Sequence, residues 1–255
     1  KNMFYWLLFY FFTGSVLGSF LNLCACRLPR GQSVVVGRSA CDFCGKKLMV
    51  TELVPVLSYL FLKGRCRGCG ERISIKYSLI EMLNSLLYVL IYCNYGNSID
   101  SLKGFLLSSL LIVIAGIDLK THYIYKSTTI FGIGAFIFIE IIDLLISWQI
   151  PWENLLAGAL GVIVIGAIVF FTGGMGEGDI EIALIIGLFL GIKGLMLALF
   201  IAFILGGIIA SIFLILKFKE TKAEIAFGPY LAIGAIISLL YSTEIINWYI
   251  SLMKI

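Results

Sequence analysis

Long apolar runs recur from one end of the chain to the other with only short polar breaks, and they leave this sequence few folds to adopt. A helix needs roughly 20 residues to cross about 30 Å of hydrocarbon. Runs of that order are expected as spans near residues 3–23, 75–93, 102–118, 127–147, 153–172, 179–193, 195–216 and 228–250. Composition agrees: the 255 residues are 60% hydrophobic and 13% charged, with a mean hydropathy of +1.04. Soluble domains carry about 25% charged residues, so this chain is not of that class. The expected fold is an all-α polytopic membrane protein of about eight transmembrane helices, or seven if Ile192-Lys193-Gly194 does not interrupt the sixth and seventh runs. Met3 is the expected initiator behind Lys1-Asn2. The run from Met3 to Phe20 reads as a retained first span, because it has no basic leading region beyond Lys1 and no small-x-small cleavage site.

One polar stretch breaks the pattern. Residues 24–77 hold ten basic side chains: Arg27, Arg30, Arg38, Lys46, Lys47, Lys63, Arg65, Arg67, Arg72 and Lys76. Against Asp42, Glu52 and Glu71 they leave a net +7, more than the +4 of the whole chain. The expected organisation is a first transmembrane helix over 1–23, a small cytoplasmic insert over 24–77 and a membrane core over 78–255. Basic residues also follow the third run (Lys120, Lys126) and the seventh (Lys217, Lys219, Lys222), whereas the breaks at 94–101 and 149–153 have none. Positively charged loops stay in the cytoplasm, so the insert, Asp118 and Asp179 are expected on that side and both termini outside. Tyr5, Trp6, Trp148, Trp152, Trp248 and Tyr249 then fall at the outer interface as aromatic anchors.

Four of the seven cysteines form Cys41-x2-Cys44 and Cys66-x2-Cys69, with 21 residues between the pairs. Four thiolates suit a closed tetrahedral structural zinc site, and a polar insert this small has little core of its own. The alternative is two disulfides, which a reducing cytosol disfavours. Cys24, Cys26 and Cys93 lack partner spacing and read as buried small hydrophobes. His122, the single histidine, reads as a solvated loop residue, since the four cysteines already complete a metal site.

The stretch Gly173-Gly174-Met175-Gly176-Glu177-Gly178-Asp179 separates two apolar runs and ends on a carboxylate, which is costly at membrane depth unless it serves a purpose. Asp118 ends an earlier run on the same expected face. Two carboxylates sharing a proton can hydrolyse a peptide bond, one as base toward water while the other polarises the carbonyl. Each also fits a plainer role, Asp118 as a wetted helix-end acid and Asp179 as a helix N-terminal acid stabilised by the dipole. Glu81, Glu140, Asp143 and Glu181 are the other acids in or near the spans. Glu140 and Asp143 could instead line an ion path in a transporter, but that design calls for broken helices in two corresponding halves. Only one glycine-rich break with an acid is visible. A third reading is a membrane-anchored zinc scaffold without chemistry, in which Asp118→Asn would be silent.

Several motifs follow one another along nearly the whole length. They are Gly18-Ser19-Phe20-Leu21-Asn22 with Arg27-Leu28-Pro29, Gly37-Arg38-Ser39-x-Cys41-x-x-Cys44, and Glu52-Leu53-Val54-Pro55-Val56-Leu57-Ser58-Tyr59. Gly64-Arg65-Cys66-Arg67-x-Cys69-Gly70 and Ile73-Ser74-x-x-Tyr77 lead to Glu81, and then come Asp118, Gly174-Met175-Gly176-Glu177-Gly178-Asp179 and Phe227-Gly228-Pro229-Tyr230. In these the chain resembles the type IV prepilin peptidases, membrane aspartic proteases of the Gly-x-Gly-Asp class. The resemblance implies that Asp118 and Asp179 are the catalytic pair, with Gly176 and Gly178 supporting the catalytic loop. It implies a prepilin or pseudopilin substrate, cut at the cytoplasmic border of the bacterial inner membrane after a short basic leader. The four-cysteine insert marks the long form, which methylates the new N-terminus with S-adenosylmethionine. Implied partners are therefore these substrates and the lipid bilayer, with no nucleic acid. Three positions depart from the family pattern: Asp118 is followed by Leu-Lys-Thr-His-Tyr without Ile-Pro-Asp, Glu181 stands where lysine is common, and Ser85 where glycine is common.

Overall fold

The computed structural model describes residues 2–37, 39–41, 43–148, 150–216 and 226–253. Arg38, Asp42, Lys217, Lys219 and Lys222, which entered the loop charges, lie outside the described residues, as does Gln149. The helices are α1 (Asn2–Arg27), α2 (Leu57–Phe61), α3 (Ile75–Tyr95), α4 (Ile99–Thr121), α5 (Lys126–Ser147), α6 (Trp152–Thr172), α7 (Glu177–Ile215) and α8 (Gly228–Met253). The described residues contain no strand, only isolated antiparallel bridges between Ala40 and Lys47 and between Arg65 and Arg72. Every helix except α2 is long and apolar enough to cross a membrane, so this is a polytopic helical membrane protein.

The chain forms two compact units, Lys1–Asn97 and Ser98–Ile255. In the first, α1 and α3 meet through small residues. A Cβ on Gly14 would lie 2.8 Å from Ser85 Cα, and one on Gly18 would lie 2.7 Å from Glu81 Cα. That is the close backbone approach that small-x3-small faces give helices in lipid. The contact is then fastened by polar groups: Asn84 Nδ2 donates to the Gly14 carbonyl (2.8 Å) and Asn22 Nδ2 to the Tyr77 carbonyl (2.9 Å). Ser85, at the unusual position, donates its hydroxyl to the Glu81 carbonyl at 2.7 Å inside the α3 turn. Cys24 is buried, but Cys26 is half-buried and Cys93 is exposed on α3, so the expectation that all three are buried is corrected. Exposure is no penalty to a weakly polar thiol on a span surface that faces lipid.

In the second unit, α7 is 39 residues long, roughly 58 Å if straight and about twice the hydrocarbon thickness. It is not straight. Gly191 sits at φ 69, ψ −176, a region essentially reserved for glycine. A Cβ on Gly206 would lie 2.9 Å from Phe227, and one on Gly228 would lie 3.1 Å from Ile182. Phe227 and Gly228 are neighbours, whereas Ile182 and Gly206 would be about 36 Å apart on a straight helix. The chain therefore reverses at Gly191, and the sixth and seventh apolar runs are two antiparallel halves of α7. The turn falls just before the Ile192-Lys193-Gly194 break read from sequence. Carbonyls around it find donors, as apolar surroundings demand: Asn154 Nδ2 to Leu188 (2.7 Å) and Ser238 Oγ to Gly194 (2.7 Å). Gly161 and Gly187 let α6 pack backbone to backbone on the first half, and Gly234 lets α8 pack on the second.

The acids suspected of lining an ion path are otherwise engaged. Lys103 on α4 pairs with Glu140 (2.7 Å) and Asp143 (3.6 Å) on α5. An intramembrane carboxylate needs such a partner. All six expected interfacial aromatics have exposed side chains.

Candidate active site

Several helix ends in the second unit converge on one cleft. Asp118 lies in the last turn of α4, which stops because His122 takes a left-handed conformation (φ 51, ψ 31) and its amide closes on the Asp118 carbonyl at 2.9 Å. Gly173 (φ 58) ends α6 in the same way, and the glycine stretch then leads into α7. Asp179, the third residue of α7, accepts the Gly176 amide on Oδ2 at 3.1 Å. A side chain reaching back three residues to an amide at the helix entrance is half of a capping box. The plainer reading of Asp179 as a helix-terminal acid is thus true of one oxygen without excluding chemistry at the other. Gly228, the first residue of α8, donates its amide to Asp118 Oδ2 at 3.0 Å.

Both carboxylates are buried, each 5% exposed, and they are close enough to interact electrostatically. Both line a cleft of about 420 Å³ together with His122, Tyr123, Ile124, Lys126, residues 173–178, Glu181, Ala226 and Phe227. Among the described residues each aspartate carboxylate receives a single hydrogen bond, from one glycine amide. Helix N-termini carry partial positive charge, so the starts of α7 and α8 favour a negatively charged pair here. Glu181, the unusual acid, accepts a hydrogen bond from Thr129 Oγ1 and so is tied to α5. His122 is exposed at the cleft rim, as a loop residue should be.

The two support glycines differ. A Cβ on Gly176 would rest 3.7 Å from Asp179 Oδ2, ordinary contact, so this position contributes its amide and not its lack of a side chain. A Cβ on Gly178 would come within 2.8 Å of the Cβ and Cδ1 of Ile124. Gly178→Ala should therefore push the 122–125 loop off the cleft and cut turnover by roughly tenfold, since small displacements of positioned groups are costly. Ile124→Ala in the same chain should restore most of it; failure of that rescue in a turnover assay would show that the clash is not the cause. Gly228 was not singled out by sequence reasoning, because an amide donor carries no side-chain signature. Its trace was the Phe227-Gly228-Pro229-Tyr230 motif.

In the first unit, the sulfurs of Cys41, Cys44, Cys66 and Cys69 all lie within 4.8 Å of one another. A tetrahedral tetrathiolate centre with metal–sulfur bonds of about 2.3 Å has sulfurs roughly 3.8 Å apart, and Cys41 Sγ to Cys69 Sγ is 3.9 Å. That spacing fits a metal ion and is far beyond a disulfide bond. Two knuckles build the site: the Gly45 amide closes on the Cys41 carbonyl (2.9 Å) and the Gly70 amide on that of Cys66 (2.9 Å). Amide hydrogen bonds from Cys69 and Gly68 lower the Cys66 thiol to about 6. The Glu71 amide pulls Cys69 down, but desolvation and the neighbouring sulfurs of Cys44, Cys66 and Cys41 push it up to about 11. Thiols that cannot all ionise side by side release their protons when a cation binds them. Lys46, from the first knuckle, lies against Gly68 of the second and pairs with Glu52 at 2.9 Å. The Met49 amide and Lys46 together hold the Glu52 carboxyl below its usual range.

Comparison with known proteins agrees in both halves. Residues 12–95 match the family model described as Bacterial Peptidase A24 N-terminal domain, and residues 105–211 match the one described as Type IV leader peptidase family. A Bacillus subtilis (strain 168) protein named prepilin leader peptidase/N-methyltransferase is 33% identical over 243 residues, covering 95% of this chain and 97% of its own. Proteins of the same name from Aeromonas salmonicida (strain A449) and Neisseria gonorrhoeae are 30% and 28% identical, over 96% and 93% of this chain and 95% and 92% of theirs. No solved structure matches the chain significantly.

Proposed function

The chain belongs to the type IV leader peptidase family, and from that membership we propose that it is a membrane-embedded aspartic endopeptidase with Asp118 and Asp179 as its catalytic pair. Its substrates are type IV prepilins or pseudopilins, cut after a short basic leader. The observation that carries this reading is the pair itself: two buried carboxylates from different helices line one cleft, each oriented by one glycine amide. The ionised carboxylate takes a proton from water as its oxygen attacks the scissile carbonyl carbon. The protonated partner donates a hydrogen bond to the carbonyl oxygen as negative charge develops there. Collapse of the tetrahedral adduct breaks the C–N bond, and a proton from the pair goes to the leaving nitrogen. The products are a leader carboxylate and a new N-terminal amine. Gly176 and Gly178 support this loop, the first by its amide and the second by leaving room for Ile124.

The second activity is N-methylation of that amine, which we associate with the 24–77 insert. S-adenosylmethionine is the donor and supplies an electrophilic methyl group; no residue of this chain is assigned to it. The metal in the four-cysteine site is zinc, in a structural role, because four sulfurs leave no open position for a substrate. Purified protein should contain about one zinc per chain, and Cys41→Ser together with Cys66→Ser should lower it to trace levels by metal analysis. Loop charges favour a bacterial inner-membrane orientation with the cleft and insert in the cytoplasm and both termini outside.

Detergent-solubilised protein mixed with a prepilin tests the main reading, since cleavage needs no sealed membrane and transport does. Mass spectrometry should show loss of the leader and, with S-adenosylmethionine present, one added methyl group on the new N-terminus. An uncut prepilin would sink the peptidase reading. A cut but unmethylated product would remove the second activity alone.

A further inference from the structure

Residues 57–65 and Arg72 of the first unit carry a surface to which neither the aspartate pair nor the four zinc-site sulfurs contribute. The Val56 amide, at the start of α2, donates to Glu81 Oε2 at 2.8 Å. Glu81 lies six residues into α3, roughly 9 Å along its axis. The short α2 is therefore held beside the first turns of a membrane-crossing helix. Tyr59 fastens its inner side: the hydroxyl reaches the Ile73 carbonyl at 3.4 Å, and a Cβ on Gly64 would meet that hydroxyl at 2.7 Å. With Tyr59 turned inward, Leu57, Leu60 and Phe61 stay uncovered, Leu60 at 64% and Phe61 at 82% exposure.

Beside this apolar edge stand the exposed bases Lys63, Arg65 and Arg72. Arg65 and Arg72 oppose each other across an isolated antiparallel bridge. Like charges at such positions repel, and among the described residues no acid forms an ion pair with either. A phosphate resolves the repulsion, because guanidinium groups bind it through paired charge-assisted hydrogen bonds.

We infer that this face binds an anionic phospholipid: Arg65 and Arg72, with Lys63, take the headgroup phosphate, while Leu57, Leu60 and Phe61 enter the acyl boundary. The bilayer is the matching occupant for two reasons. Both ends of the insert run into membrane-crossing helices, which keeps headgroups within reach. The net +7 of residues 24–77 complements a negatively charged leaflet. An apolar edge flanked by bases is also the pattern of elements that lie in the interface plane.

The test compares the full chain in nanodiscs of phosphatidylcholine alone and with phosphatidylglycerol added. Amide hydrogen exchange across residues 57–72 should slow several-fold when the anionic lipid is present. Phosphatidylglycerol retained in native mass spectrometry should fall about fivefold per arginine removed, so roughly 25-fold in Arg65→Gln/Arg72→Gln. Zinc content reports whether that variant keeps its knuckles, and Phe61→Ser, outside them, should weaken the protection independently. Equal exchange in the two lipids would overturn the inference. So would a phosphatidylglycerol response that survives in the zinc-loaded double variant, or equal protection from inorganic phosphate in phosphatidylcholine discs.

Discussion

Asp118→Asn and Asp179→Asn should each lower kcat for leader removal by about 10⁴-fold, the upper end of what a positioned acid–base group contributes. Asparagine is the informative replacement because each aspartate accepts one amide hydrogen bond, from Gly228 or Gly176, and an asparagine oxygen accepts it equally well. Asp179 also closes the entrance of α7, so alanine there would mix a lost cap, worth about 1 kcal/mol, with lost chemistry. The asparagine variants should insert and unfold like the parent and should retain zinc, whose ligands lie in the other unit. Leader removal at a tenth of the parental rate in either variant would dismiss the shared-proton mechanism. A normal rate in Asp118→Asn alone would return Asp118 to the role of a helix-end acid outside the chemistry.

Among the glycines around the cleft, Gly228 should be the one whose replacement by alanine damages turnover most. Its Cβ would fall 2.6 Å from Asp118 Oδ2 and 3.1 Å from Ile182 Cδ1, and Ile182 is fully buried. One of them must yield by several tenths of an ångström, and the carboxylate is the one with the cleft beside it. A shift approaching 1 Å at a catalytic group costs about 10²-fold in rate, and overpacking of the core adds about 1–3 kcal/mol of instability. Gly176→Ala is the matched control: it keeps its amide, its Cβ has room, and it should stay within about threefold of the parent, since no positioned group is displaced. Steady-state kinetics on both variants decides the matter. Equal losses would mean that loop flexibility, not clearance, is what these glycines supply.

Much of this was legible in the sequence for local reasons. Cys-x2-Cys spacing dictates a knuckle over a few residues, so the four sulfurs meet wherever the rest of the chain goes. Apolar runs dictate spans, and the helix bounds fall close to the expected ones. What sequence could not supply was anything made by contact between distant segments. Asp118 and Asp179 share an expected face by loop charge, but only packing brings them to one cleft. Lys103 went unnoticed as the partner of Glu140 and Asp143 because a lone lysine near a span end looks like an interfacial residue. Hydropathy registered Lys193 as the break in the sixth and seventh runs, whereas the backbone turns at Gly191, whose dihedrals carry no hydropathic signal.

That turn has a topogenic consequence. Each reversal within the bilayer changes the parity of crossings, and parity decides on which side the next segment emerges. With Gly191 in place, α8 begins at the end where α4 finishes, and the Gly228 amide is delivered to Asp118. A residue that held this backbone in a continuous helix would remove one crossing ahead of α8. The start of α8 would then be sorted to the opposite leaflet, a full membrane thickness from the carboxylate it serves.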